Sequence, residues 1–189
     1  MAKSNLRQFD YKKVAKLDAD MWQSYYNHQF IKMFVQLLRI MRTQLHLNWF
    51  LTFRLARHSG WAATVYRLEK GHENYPRVLR NLVKFYKTIS DNCTKPFDYQ
   101  KVAELELEWW DIHRYPSKYK KTLEQSLADA QAVIYHTGST EFKDYAHGRA
   151  VAMLLPKHEG DKQDNPPDWN EINKLLLKSW KSLYATVQK

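Results

Sequence analysis

Apolar side chains recur along most of this chain at intervals of three and four, the spacing that lines one face of an α-helix. Val14, Leu17, Met21 and Tyr25 keep that period, as do Val102, Leu105, Trp109 and Ile112. The longest stripe is Trp169, Ile172, Leu176, Trp180, Leu183 and Val187, with Lys174, Lys178 and Lys181 turned the other way. The pattern predicts helices near 10–29, 30–46, 48–70, 75–90, 98–115, 117–136, 140–155 and 168–187. Asp10, Asp98 and Asp168 stand where N-caps are expected, and Glu171 follows Asp168 at capping-box spacing. No alternating run flanked by hairpin-turn residues interrupts the series. The fold class is therefore all-α, a helical bundle of roughly eight helices. Residues 156–167, rich in charge, Gly and Pro, read as a connector rather than a lid, and Met1 to Leu6 as a short frayed tail.

Residues 9–22, FDYKKVAKLDADMW, return at 97–110 as FDYQKVAELELEWW, with eight of fourteen positions identical. Agreement at that level predicts an internal duplication. The 189 residues then form one domain, with pseudo-repeat halves 9–90 and 97–187.

Composition narrows the function classes. Five Gly and six Pro leave room for few tight turns. A lone Cys93 excludes an internal disulfide and suits a reducing cytosol. The start of the chain lacks a secretory signal pattern, and no apolar run approaches the length of a membrane span, so a cytoplasmic protein without a transmembrane segment is expected. Net charge is +10, and it is lopsided: residues 1–88 carry 16 Lys and Arg against 5 acids, residues 89–189 carry 14 against 15. The basic half favours an anionic partner, whether a phosphate-bearing substrate, nucleic acid, an acidic protein or an anionic membrane surface.

Beside each core stripe of the repeated helices runs a second line. In one copy it is Ala15, Asp18, Trp22 and Tyr25; in the other Ala103, Glu106, Trp110 and His113. Seven residues is close to two helical turns, so acid and ring share a side. Antiparallel packing of the copies would set Glu106 and His113 against Asp18 and Tyr25 between Trp22 and Trp110. That arrangement predicts a partly desolvated aromatic pocket suited to proton transfer, with Trp109 and Arg114 at its edge and Asp111 beside it. A ferritin-like di-iron site needs Glu-x-x-His in each half, and neither half has it. A transition metal held by a looser set would draw on Glu106, His113, Asp144 and His147. Zinc-finger, HExxH, P-loop, Rossmann and nucleophile-elbow signatures are absent. For anions the best feature is Arg77, Arg80, Lys84 and Lys87, four cations on one face of one helix, with Tyr75 and Tyr86 nearby.

Two functions follow as expectations. The first is a protein binding a small molecule in the aromatic pocket at the repeat interface, an enzyme if Glu106 and His113 move protons or hold a metal. The alternative is a basic helical adaptor that binds nucleic acid or an acidic protein partner through the Arg77–Lys87 face. A purely structural subunit with an aromatic oligomer interface is a third.

Overall fold

The computed structural model describes residues 3–69, 72–156 and 167–189, and among these it is all-α. Eight helices follow in order: α1 (Tyr11–Tyr26), α2 (Phe30–Leu45), α3 (Trp49–Leu68), α4 (Tyr75–Asn92), α5 (Tyr99–Arg114), α6 (Leu123–Tyr135), α7 (Lys143–Leu154) and α8 (Trp169–Val187). Most of the expected connector, 157–166, lies outside the described residues, as do Met1 and Ala2 of the expected tail.

Local chemistry explains the boundaries. The Asp10 carboxylate accepts from Lys13 N, the Asp98 carboxylate from Gln100 N and Lys101 N, and the Asp168 carboxylate from Asn170 N and Glu171 N. Each satisfies donors that the first helical turn leaves unpaired. One start differs from expectation. Pro116 opens only a 3-10 turn, Pro116–Lys118, and α6 begins six residues later than predicted. There Thr122 and Gln125 form a full capping box. His46 and His136 end α2 and α6 in the left-handed region, at φ 51° and 56°.

Each helix packs chiefly on its neighbours in sequence, and α8 returns to pack on α1, closing the cycle. The expected tail is not frayed from Ser4 onward. Ser4 N donates to Asn92 O and Thr94 N donates to Ser4 O, each at 2.8 Å. Arg7 donates to Val187 O at 2.7 Å and to Tyr135 O at 3.0 Å, drawing together the ends of α6 and α8. The core holds Val14, Leu55, Val102, Phe142, Leu176 and Leu183, all essentially inaccessible. Most of the stripe residues predicted to face inward do so; Tyr25 is exposed.

Two helical glycines sit in opposite surroundings. A Cβ on Gly148 would stand 3.3 Å from Leu175 O and from Ser179 Cβ, so this glycine permits the close approach of α7 to α8. A Cβ on Gly60 of α3 would meet nothing within 4 Å. Gly60→Ala should therefore stabilise the protein by about 0.5–1 kcal/mol. Gly148→Leu should destabilise it by about 1–3 kcal/mol or more through overpacking. Urea unfolding of the two variants checks both signs.

Candidate functional site

Of the two carboxylates in the recurring stretch, Asp18 meets a largely buried cation directly. Arg149 of α7 places Nη1 2.6 Å from Asp18 Oδ2, with only 16% and 3% of the two side chains exposed. Trp180 Nε1 donates to the same oxygen at 2.8 Å. The guanidinium lies 5.4 Å from the Trp22 ring centroid and 5.7 Å from that of Trp180, so indoles as well as a carboxylate surround it. Burial works against the Arg149 charge, but Asp18, Tyr145 and Glu106 more than offset it, and its pKa lies above the ordinary arginine value.

Glu106, the counterpart of Asp18, is enclosed by donors. Trp109 Nε1 and Tyr86 OH reach Oε2 at 2.7 and 2.9 Å, and Trp110 Nε1 reaches Oε1 at 3.0 Å. Burial pushes its carboxyl pKa up; the three hydrogen bonds and Arg149 oppose that shift without cancelling it. The two acids share part of their surroundings. Asp18 accepts from Trp180 on α8, which packs on α1, while Glu106 accepts from Tyr86 on α4, which packs on α5. Phe9 meets the Trp180 ring edge-on at 6.0 Å, and Phe97 meets Tyr86 edge-on at 6.5 Å.

The other expected site residues lie apart from this cluster. His113 sets Nε2 3.3 Å from Met153 O, and Tyr25 packs edge-on against Tyr26. α1 packs on α2 and α8, and α5 on α4 and α6, so Arg149 rather than direct helix contact links the repeated acids. Arg114 covers the Tyr66 ring at 3.9 Å and donates to Tyr66 O at 2.8 Å and Glu69 O at 3.3 Å, closing the end of α3. Trp110 packs against the same Tyr66 ring at 5.2 Å.

Asp111 is buried, not on the surface, and accepts from the hydroxyls of Tyr66, Tyr75 and Tyr119. Burial and the carboxylate raise the Tyr119 phenol to about 12. His147 is exposed and pairs with Glu124 at 2.8 Å, and Asp144 is exposed on the same helix. Among the described residues no three His, Cys, Asp or Glu converge as a metal-ligand group, so Glu106, His113, Asp144 and His147 do not form one set. Cys93 is buried, donates to Lys95 O at 3.1 Å, and has its thiol pKa raised by burial. Among the depressions on the described surface, one of about 440 Å³ is bordered by Phe97, Asp98, Val133 and His136, and another of about 340 Å³ by Asp10, Lys13, Arg42 and His46. Neither borders Glu106.

Arg77, Arg80, Lys84 and Lys87 are all exposed on α4, as their spacing predicts. Lys87 pairs with Asp91 at 2.8 Å. Arg54 and Arg57 of α3 extend the face, since they and Lys84 act together on His58, whose pKa is lowered first by burial and then by these cations. Sequence reading missed Arg149 altogether, and its only local signal is a cation set among the small residues Ala146, Gly148, Ala150 and Ala152.

Arg149→Met should cost about 3–5 kcal/mol, because Asp18 is left buried without its cation, whereas Asp18→Leu combined with Arg149→Met should recover most of that loss. A double-mutant cycle measured by urea unfolding checks the coupling. Glu106 carries a pH signature of its own. Its raised folded pKa means the folded state holds the proton longer, so its contribution to stability falls as pH rises from about 4.5 through the raised value. Glu106→Gln should flatten the stability profile across that window, measured by unfolding at stepped pH.

No protein-family model, curated protein or solved structure matches the chain.

Proposed function

We propose that the protein is a binding module whose two halves, copies of one four-helix unit, have diverged: the second half supplies the buried cation that anchors the core, and the first carries a surface for an anionic partner. The observation that carries this reading is the basic face where α3 and α4 pack. Arg54, Arg57, Arg77, Arg80 and Lys84 are exposed there, and no ion pair to any of them is among those described. Such a face attracts phosphate or carboxylate groups through counterion release and steering. The correspondence between the surroundings of Asp18 and Glu106 supports the duplication.

A second reading, a small-molecule or proton-transfer site at Glu106, is favoured by one observation: a half-buried carboxyl with a raised pKa among indoles. Three donors already occupy that carboxylate, and His113 engages a backbone carbonyl, so the geometry favours the basic face.

Arg80→Glu with Lys84→Glu should weaken retention on heparin and lower the salt dependence of binding by roughly one unit of log–log slope per lost contact. His113→Ala should leave retention unchanged. Equal retention of wild type and charge-reversed protein would overturn this reading, and an organic adduct in native mass spectra that His113→Ala abolishes would establish the second.

A further inference from the structure

Next to the basic face lies an apolar one. Eight of the twelve large apolar side chains exposed among the described residues belong to α2 or α3. Ile31 is 86% exposed, Phe50 77% and Leu68 74%. On α3 the exposed positions Phe50, Arg54, Arg57, Trp61 and Leu68 are separated by four, three, four and seven residues. They therefore form one stripe in which apolar side chains flank two guanidinium groups. The α2 side continues it, with Phe34 meeting Phe53 at 6.1 Å, Arg42 over the Trp49 ring at 4.2 Å and Arg67 over Phe30 at 5.9 Å.

The charge of this region is one-sided. Between Asp20 and Glu69 the chain contains no acid, and it contains six cations: Lys32, Arg39, Arg42, Arg54, Arg57 and Arg67. We propose that the outer face of α2 and α3 docks on a membrane surface rich in anionic lipid, with Ile31, Phe50 and Phe53 entering the boundary between headgroups and acyl chains while the flanking arginines meet the headgroups. This rests on the reading of the protein as a module for anionic partners and names the partner.

Charge complementarity and side-chain type select this occupant. A second copy would bring two acid-free cationic faces together with no carboxylate to pair them, a costly like-charge contact. A nucleic acid strand uses aromatic rings for stacking, but it gives aliphatic Ile31, Val35 and Leu68 nothing to enter. A lipid interface uses all three kinds of side chain at once: aliphatic and aromatic groups at the acyl boundary, indoles at headgroup level and cations against anionic lipid. Helices of 16 and 20 residues reach roughly 24 and 30 Å and suit a position flat on that surface. No described helix is long and apolar enough to cross the bilayer, so the face lies on the membrane rather than in it.

The test is co-sedimentation of the full chain with vesicles of phosphatidylcholine alone and of phosphatidylcholine with phosphatidylserine, alongside heparin retention. Binding should appear only with phosphatidylserine. Ile31→Ser with Phe50→Ser should reduce vesicle binding at least tenfold and leave heparin retention and the helical circular dichroism unchanged, while Arg54→Glu with Lys84→Glu should reduce both. Heparin retention without vesicle binding would overturn the lipid proposal and leave the anion reading standing; loss of both in wild type would overturn both. A wild-type dimer that Ile31→Ser with Phe50→Ser dissociates would assign the face to a second copy and likewise overturn it.

Discussion

A single guanidinium bridges two helices of the closed cycle that pack chiefly on others. Arg149 leaves α7 and reaches Asp18 on α1, two helices that are not neighbours in the packing cycle, so the pair ties the last part of the chain to the first. The contact requires α7 to lie close on α8, which the bare backbone of Gly148 allows, and Ser179 fastens that approach by donating to Tyr145 O at 2.8 Å. A buried charge is costly unless paired and hydrogen-bonded. This one is surrounded: a carboxylate at 2.6 Å and two indole faces. Packings of the same apolar stripes that separate Arg149 from Asp18 strand both charges, so the pair selects one arrangement among several of similar burial.

One cation facing two acids also explains why the acids differ. Asp18 takes the direct contact, and Glu106 receives only the more distant field of Arg149. Its charge is stabilised instead by Trp109, Trp110 and Tyr86, all neutral donors, which do not recover the whole cost of burial. A raised carboxyl pKa is the result of that imbalance. Asp111 is likewise met by neutral donors, three phenols on different parts of the chain. Acids in the interior thus act as nodes that gather aromatic hydroxyl and indole groups, and they give an aromatic-rich core its directional contacts.

The eight helices were legible in the sequence because a 3.6-residue period and a carboxylate cap are local signals, carried by residues within a few positions of one another. The face of each helix was legible for the same reason, as Val102, Leu105 and Ile112 illustrate. Where local signals competed, the proline drew more weight than the capping box, and α6 was placed to start too early; Thr122 and Gln125 satisfy two backbone donors, whereas Pro116 only removes one. Partners across helices were not legible. Periodicity places Asp18 and Glu106 on inner faces but says nothing of Arg149, which stands 131 residues from Asp18. The burial of Asp111 was not legible either, because the tyrosines that satisfy it come from three separate elements.

The exposed apolar face of α2 and α3 has no equal on α6 and α7. These two helices carry acids instead: Glu124 of α6 pairs with His147 of α7, and Asp129 of α6 with Lys121. On α6 no large apolar side chain is exposed, and on α7 the one that is, Leu154, stands at the helix end. The architecture therefore closes without an exposed aromatic stripe. Exposed Phe50, Phe53 and Trp61 are not a by-product of filling the core, since the buried side of α3 is already supplied by Thr52, Leu55, Ala56, Ala62 and Tyr66. Nor does Gly60 serve packing, because its surroundings are open. Large apolar groups kept in water without a structural return, set among cations and concentrated on α2 and α3, mark a surface shaped by what it meets rather than by the fold beneath it.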